Sequence, residues 1–412
     1  MTGPQDTRGA GADPAVPRSL EHPLPAGMRD LLPEEARERR ERARKLLDRF
    51  ALHGYSLVTP PAFEFAEVLE RGLGTLDAAE VLRFVEPESG EVAALRPDMT
   101  PQIARMIATR LRDRPPPMRL AYEGTVLRRR AGRARKERQM PQAGVELAGV
   151  AGPAGDLELL ELAAGAARAA GLDRFTIDLG DAGVVRALLA GVAPEAQARL
   201  SEALGRKDEG EIAEACAQAR PACSEALLAL PSLHGARDAL VEGVARLATT
   251  PARAGAERLL ALFDAAVARG LGAHLVADLG EVRGFAYYTG PIFHVFAPGT
   301  GAALASGGRY DELLARFGVP MPAAGFAFDL DRLGEALRAA GAVEAGPMRV
   351  VVVVADDRNR DPGRGAQDDP RVVSLRARGV AAVAVTGEPA ARAYARAWGF
   401  THVMVGEEPA SV

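Results

Sequence analysis

From Tyr55 to Leu330 the chain carries short strand-like segments in hairpin-like groups, with helical stretches set apart from them instead of following every strand. Parallel strands need a crossover between them, usually a helix. This order therefore excludes a repeating β-α-β core and predicts the α+β class. The strand segments are Tyr55–Thr59, Leu82–Val85, Val92–Leu95, Leu120–Leu127, Gly144–Gly149 and Phe175–Leu179, then His274–Leu279, Ala286–Phe296, Ala302–Ser306 and Ala323–Leu330. Helices are predicted at Pro101–Leu111, Leu157–Ala170, Tyr310–Phe317 and Asp331–Ala340. Ahead of them, Pro33 suits a first helical turn with Glu34 and Glu35 at its positive end, and Ala43, Leu46, Leu47 and Phe50 recur at helical spacing until Gly54. Pro60-Pro61 blocks ladder pairing on one side of the next strand, which predicts an edge or an interface there.

Composition shifts to Ala, Leu, Glu and Arg between Gly183 and Arg269, which predicts a helical insertion over 183–269. After a linker at Gly341–Pro347 the pattern changes again. Arg349–Ala355, Val380–Val385 and His402–Val405 read as buried parallel strands, with helices at Pro370–Arg378 and Pro389–Trp398 between them and a loop at Asp357–Asp369. The predicted organisation is a disordered tail over 1–24, an α+β domain over 25–345 and a small three-stranded α/β module over 346–412. Met1–Pro25 lacks the apolar core of a secretory signal, so a cytoplasmic location is expected. Apolar runs such as Val350–Ala355 are far too short to cross a bilayer, so no membrane association is expected. Fifty-one basic and 55 acidic side chains leave a net charge of −4, so any attraction for nucleic acid must be local. Cys216 and Cys223 have no companion His residues, and the six His residues form no ligand pair. No nucleophile elbow or Walker loop is present, and no metal or cofactor is expected.

Five local constellations carry polar chemistry. The run Arg128–Arg138 packs Arg128, Arg129, Arg130, Arg133, Arg135, Lys136 and Arg138 around one acid, Glu137; it suits phosphate or nucleic-acid contact, or is a solvated loop. In Leu95-Arg-Pro-Asp-Met-Thr100, Asp98 or Thr100 caps the following helix or faces a pocket. Gln142, Gly144 and Glu146 share one strand face, and the two polar members must meet solvent or line a polar cavity. Arg283, Tyr287 and Tyr288 supply donors and an apolar wall. Gly307-Gly308-Arg309-Tyr310-Asp311, with Gly325–Arg332 beyond it, fits a pocket floor or a plain turn.

Taken in order, these fragments resemble the histidyl-tRNA synthetases of class II. The helix with Gly54–Pro60 resembles motif 1, Leu120–Gly149 motif 2 and Gly325–Leu333 motif 3, while Arg283–Gly290 and Gly307–Asp311 resemble the two histidine signatures. The resemblance spans Pro25 to Ala340 and implies an antiparallel sheet flanked by helices, with a dimer interface at motif 1 that would cover the Ala43–Phe50 stripe. Departures are pointed. Arg130 stands where motif 2 has an acid that places adenine, Gln139 replaces a Glu, Asp98 follows Leu-Arg-Pro in place of Glu, and Ala286 replaces an Asp. The C-terminal module resembles a shortened anticodon-binding domain. Pro25-Ala-Gly-Met-Arg-Asp, Leu95-Arg-Pro-Asp-Met-Thr and Arg283-Gly-Phe-Ala-Tyr-Tyr-Thr-Gly are similar to the paralogous family of ATP phosphoribosyltransferase regulatory subunits.

That resemblance implies a non-catalytic protein, a homodimer within a hetero-oligomer, that activates the short catalytic subunit and relays histidine feedback in the first step of histidine biosynthesis. L-Histidine would be its effector and tRNA not a ligand. Asp98, Thr100 and Gln142 would take the amino group, Arg128 and Arg283 the carboxylate, and Glu146 with Tyr287 or Tyr288 the imidazole. Arg332 keeps the motif 3 arginine. The alternatives are an active histidyl-tRNA synthetase, or a synthetase-like RNA-binding protein or amino-acid sensor.

Overall fold

The computed structural model describes residues 24–25, 27–73, 81–128, 138–282, 287–342, 346–355 and 366–412. Within the larger of two compact units, which holds Arg42–Ala340, the strands are β1 (Ser56–Leu57), β2 (Phe63–Phe65), β3 (Arg83–Val85), β4 (Val92–Leu95), β5 (Met118–Leu127), β6 (Gln139–Ala148), β7 (Thr176–Asp181), β8 (His234–Gly235), β9 (Leu275–Asp278), β10 (Pro291–Phe296), β11 (Ala305–Arg309) and β12 (Ala323–Asp329). Nine of them form one sheet in the order β1-β5-β6-β12-β11-β10-β7-β9-β8. Only β1–β5 and β7–β9 pair in parallel; every other pair is antiparallel, as the α+β reading requires. The remaining three make a small sheet, β2-β4-β3.

The hairpin of β5 and β6 is the long element that positions the site. Its register runs from Met118↔Ala148 to Leu127↔Gln139. β6 starts at Gln139, well before the expected Gly144, because Pro141 and two glutamines conceal a strand whose partner nonetheless continues opposite it. β1 lies at the sheet edge, as Pro60-Pro61 predicted, and the Pro60 and Pro61 carbonyls accept from the Arg96 guanidinium at 3.0 and 3.1 Å. The expected Tyr310–Phe317 helix is only a single 3₁₀ turn at Leu314–Phe317. Asp311 is already engaged, accepting from the Ala323 amide at 3.1 Å, and holds the chain to β12.

Helices cover the sheet. Ala154–Ala170 buries Leu159, Leu160 and Leu162 completely, and in Pro33–Leu52 the stripe Ala43, Leu46 and Phe50 is also buried, with the Phe50 ring 5.8 Å from Phe326 of β12. That stripe belongs to this chain's own core, so it is not the apolar surface of a motif 1 interface. Apolar residues exposed nearby include Leu52 at the end of that helix, Leu57 at 60%, and Phe63, Phe65, Phe84, Val85 and Val92 of the small sheet. Residues 183–269 are largely helical, as expected, and are tied to the sheet: β8 pairs with β9, and Leu262 of the Arg253–Ala268 helix lies with Leu179 and Ile292 of the sheet around one small void.

The second unit combines Leu31–Glu41 with Gly341–Val412. Its sheet contains β13 (Arg349–Val354), β14 (Ala381–Thr386), β15 (His402–Met404) and β16 (Pro409–Ser411) in the order β14-β13-β15-β16. The three expected strands are parallel, and β16 adds an antiparallel fourth. The unbroken valine run of β13 reflects burial on both faces: Val350, Val352 and Val354 meet Val372 and Leu375, while Val351 meets Ala391, Ala395 and Phe400. At the carboxyl ends of β13 and β15, the Arg371 guanidinium donates to the carbonyls of Val353, Val405 and Gly406 at 3.0, 3.3 and 3.0 Å. Asp369 holds it through two further bonds of 3.0 Å. Among the described residues, no helix is long and apolar enough to cross a membrane.

Candidate functional site

A cavity of about 340 Å³ opens on the sheet face formed by β5, β6, β10, β11 and β12. Its walls bring together Asp98 and Thr100 from the turn after β4, Arg128 and Gln142 from the ends of the β5–β6 hairpin, and Tyr287 and Tyr288 from the segment before β10. Six of the eight residues expected to bind histidine therefore meet in one place. Arg283 lies outside the described residues, as do Arg129–Glu137 and Ala286.

Asp98 is the hub. It is 5% exposed, its Oδ1 accepts from the Thr100 amide at 3.2 Å, and its Oδ2 accepts from the Tyr287 hydroxyl at 2.8 Å. Of the two alternatives in the sequence, Asp98 takes the pocket-facing one: the Thr100–Arg110 helix begins after Met99 with no side-chain cap, and the bond from the Thr100 amide closes only the turn before it. The turn is fixed from below by Arg96, which donates to Thr125 O at 2.8 Å, and by Arg128 Nε, which donates to Pro97 O at 2.8 Å. Burial and the neighbouring Asp98 carboxylate push the Tyr287 and Tyr288 phenols well above their ordinary range, so both remain neutral donors.

Glu146 lies one layer deeper than a direct imidazole contact would place it. It is 4% exposed, does not line the main cavity, and its Oε1 accepts from Thr100 Oγ1 at 2.7 Å. Its Oε2 and the Tyr310 hydroxyl have no hydrogen-bond partner among the described residues, and both residues border a void of about 10 Å³ behind Thr100. Room for this carboxyl comes from Gly325, its register partner on β12, where an added Cβ would sit 2.1 Å from Oε2. Burial raises the Glu146 pKa well above the carboxylate range, Asp98 adds to the rise, and the Thr100 hydrogen bond opposes it. The shift favours the protonated form, and a protonated carboxyl can donate as well as accept.

A pH prediction follows. A carboxyl whose folded pKa is raised binds its proton more tightly when folded, so its contribution is full below the ordinary carboxylate range and declines as pH rises toward the folded value. Wild type is expected to lose up to about 1.4 kcal/mol per pH unit from this group over that interval. Glu146→Gln should lack that component, which urea titrations of both proteins between pH 5 and 8 would read. Parallel pH profiles would contradict a neutral Glu146.

The sequence did not single out several lining groups, among them Tyr122, Met140, His294 and Ser306. His294 Nδ1 and Ser306 Oγ are 2.9 Å apart across the β10–β11 pair. The β5 period of two marks Tyr122 as facing with Leu120 and Gly124, and the register sets it opposite Gly144. Arg332 also reaches the cavity from the first turn of the Leu330–Ala339 helix. Asp329 caps that helix by accepting from the Asp331 and Arg332 amides, and Arg332 donates to Ala303 O at 3.1 Å. Arg309, by contrast, points away into a buried pair with Asp156 at 2.7 Å. Elsewhere Asp178, Asp278 and Glu281 bring carboxylate oxygens within 4.8 Å of one another, with Lys207 Nζ 2.8 Å from Asp278.

The cavity therefore offers two carboxylates, Asp98 and Asp329, two guanidinium groups, Arg128 and Arg332, phenols and the Gln142 amide, with Arg332 3.4 Å from Asp329. A mostly antiparallel sheet with such a cavity on its central hairpin, completed by an arginine from the helix after β12, defines a class II aminoacyl-tRNA synthetase-like protein. The family model described as histidyl-tRNA synthetase matches residues 27–333. The solved structure of an ATP phosphoribosyltransferase regulatory subunit/histidyl-tRNA synthetase from Bacillus halodurans superposes with a TM-score of 0.77 at 29% identity, covering 92% of this chain and 97% of that one. Histidyl-tRNA synthetase from Nostoc sp. PCC 7120, at 20% identity and a TM-score of 0.74 over 93% and 90% of the two chains, shares the fold. Proteins named ATP phosphoribosyltransferase regulatory subunit are 38% identical in Geobacter metallireducens, over 83% of this chain and 80% of the relative, and 46% identical in Anaeromyxobacter dehalogenans strain 2CP-C, over 78% and 93%. The chain belongs to the family of ATP phosphoribosyltransferase regulatory subunits.

Proposed function

We propose that this chain is a non-catalytic subunit that assembles with a short ATP phosphoribosyltransferase chain in the cytoplasm, is required for that chain's activity, and relays inhibition by L-histidine. The joining of ATP to phosphoribosyl pyrophosphate takes place on the partner. The observation that carries the reading is a cavity that brings together Asp98, Arg128 and Tyr287 in a chain of this family. Asp98 receives the ammonium group, Arg128 with Arg283 the carboxylate, and Gln142 and Tyr288 the remaining polar edges. Glu146 acts on the imidazole side through Thr100. Arg130 and Gln139, where synthetases carry acids, argue against aminoacylation and against tRNA as a ligand. A second copy of the chain covers the edge strand β1 and the exposed Phe63, Phe65 and Phe84, giving a homodimer within the hetero-oligomer.

Co-expression with a short transferase chain tests the reading. The expected result is a co-purifying complex whose activity depends on this chain and falls on addition of histidine, while the pure chain shows no histidine-dependent pyrophosphate exchange. Exchange at rates typical of synthetases, or a transferase equally active without this chain, would refute it.

A further inference from the structure

The tyrosine wall of the cavity is held from outside by the helical block that follows β7. Asp181, at the end of β7, is fully buried; its Oδ1 accepts from the Gly183 amide at 2.8 Å, and both its oxygens accept from the Arg258 guanidinium at 2.8 Å. This clamps the Ala182–Leu188 helix to the Arg253–Ala268 helix. The two come close enough that a Cβ at Gly255 would meet Val184 at 2.9 Å. From this anchored helix two donors reach the pocket segment: the Ala182 amide donates to Gly290 O at 2.9 Å, and the Arg186 guanidinium donates to Tyr288 O. On its other side the same segment is tied to the end of β11, with the Thr289 amide donating to Arg309 O at 2.7 Å. Tyr288 in turn lies 5.0 Å from the Tyr287 ring, whose hydroxyl donates to Asp98.

We infer that Arg186 is a positioning residue: it sets the backbone of Tyr288, and through it the tyrosine pair, so that a ligand closing on the pair stabilises the helix carrying Arg186. A guanidinium bonded to a backbone carbonyl is a charge-assisted contact, and the helix it comes from lacks any residue that lines the cavity. The inference rests on the reading that the cavity takes histidine.

The test uses the full chain with L-histidine as the probe. Calorimetry should show Arg186→Met binding about tenfold more weakly than wild type, the size expected for one lost charged hydrogen bond, and Arg186→Lys recovering most of that loss. In wild type, histidine should slow amide exchange in residues 182–188, a readout that a purely structural arginine would not move and that does not depend on the variants folding. Binding by wild type with no change in exchange there, or an Arg186→Met protein that folds and binds equally well, would overturn the inference and leave the effector reading standing. No histidine binding by wild type would remove both.

Discussion

Replacing Asp98 with alanine is expected to weaken histidine binding by roughly 30- to 1000-fold, the range for leaving a buried charged group without its partner. The loss has two sources. The ligand's ammonium loses its acid, and the buried Tyr287 hydroxyl loses the acceptor 2.8 Å away that fixes its ring. Asp98→Asn separates them: it keeps an oxygen for Tyr287 but not the charge, and should recover only a small part of the affinity. Calorimetry, with feedback inhibition of the assembled transferase measured alongside, gives the answer. If both variants bind and are inhibited like wild type, the effector site lies elsewhere.

The second large effect is on stability and lies outside the cavity. Arg309 and Asp156 are each about 5% exposed on their side chains and meet at 2.7 Å, and Arg309 also donates to Val150 O at 3.2 Å. Arg309→Met strands the Asp156 carboxylate in the interior and should cost about 3–5 kcal/mol. Combining it with Asp156→Leu should return much of that, because an apolar pair of similar volume avoids the desolvation of both ions. Equilibrium urea unfolding reads both. A single variant as stable as wild type would show that the pair is solvated in solution.

Much of this was legible in the chain because burial leaves a period. The continuous valines of β13 and the helical stripe through Leu46 and Phe50 each state which faces are covered. What stayed hidden was what one element supplies to another. Nothing local in Glu146 says that Thr100, 46 residues earlier, takes its oxygen and screens it from the cavity. Nothing in Arg309 says that it turns away from a pocket which its neighbour Tyr310 lines. β16 escaped notice for a simpler reason: three residues beginning with proline carry too little pattern to be read as a strand.

The small sheet of the second unit carries its own counter-ion at the point where doubly wound sheets usually receive ligands, beyond the carboxyl ends of the strands. Asp369 sits two residues from Arg371 and engages it through both carboxylate oxygens. An anion arriving from solution must compete with a tethered acid whose effective concentration is on the order of millimolar or above. The Arg371 guanidinium is accordingly committed to joining the ends of β13 and β15 and is a poor receptor for dilute anions.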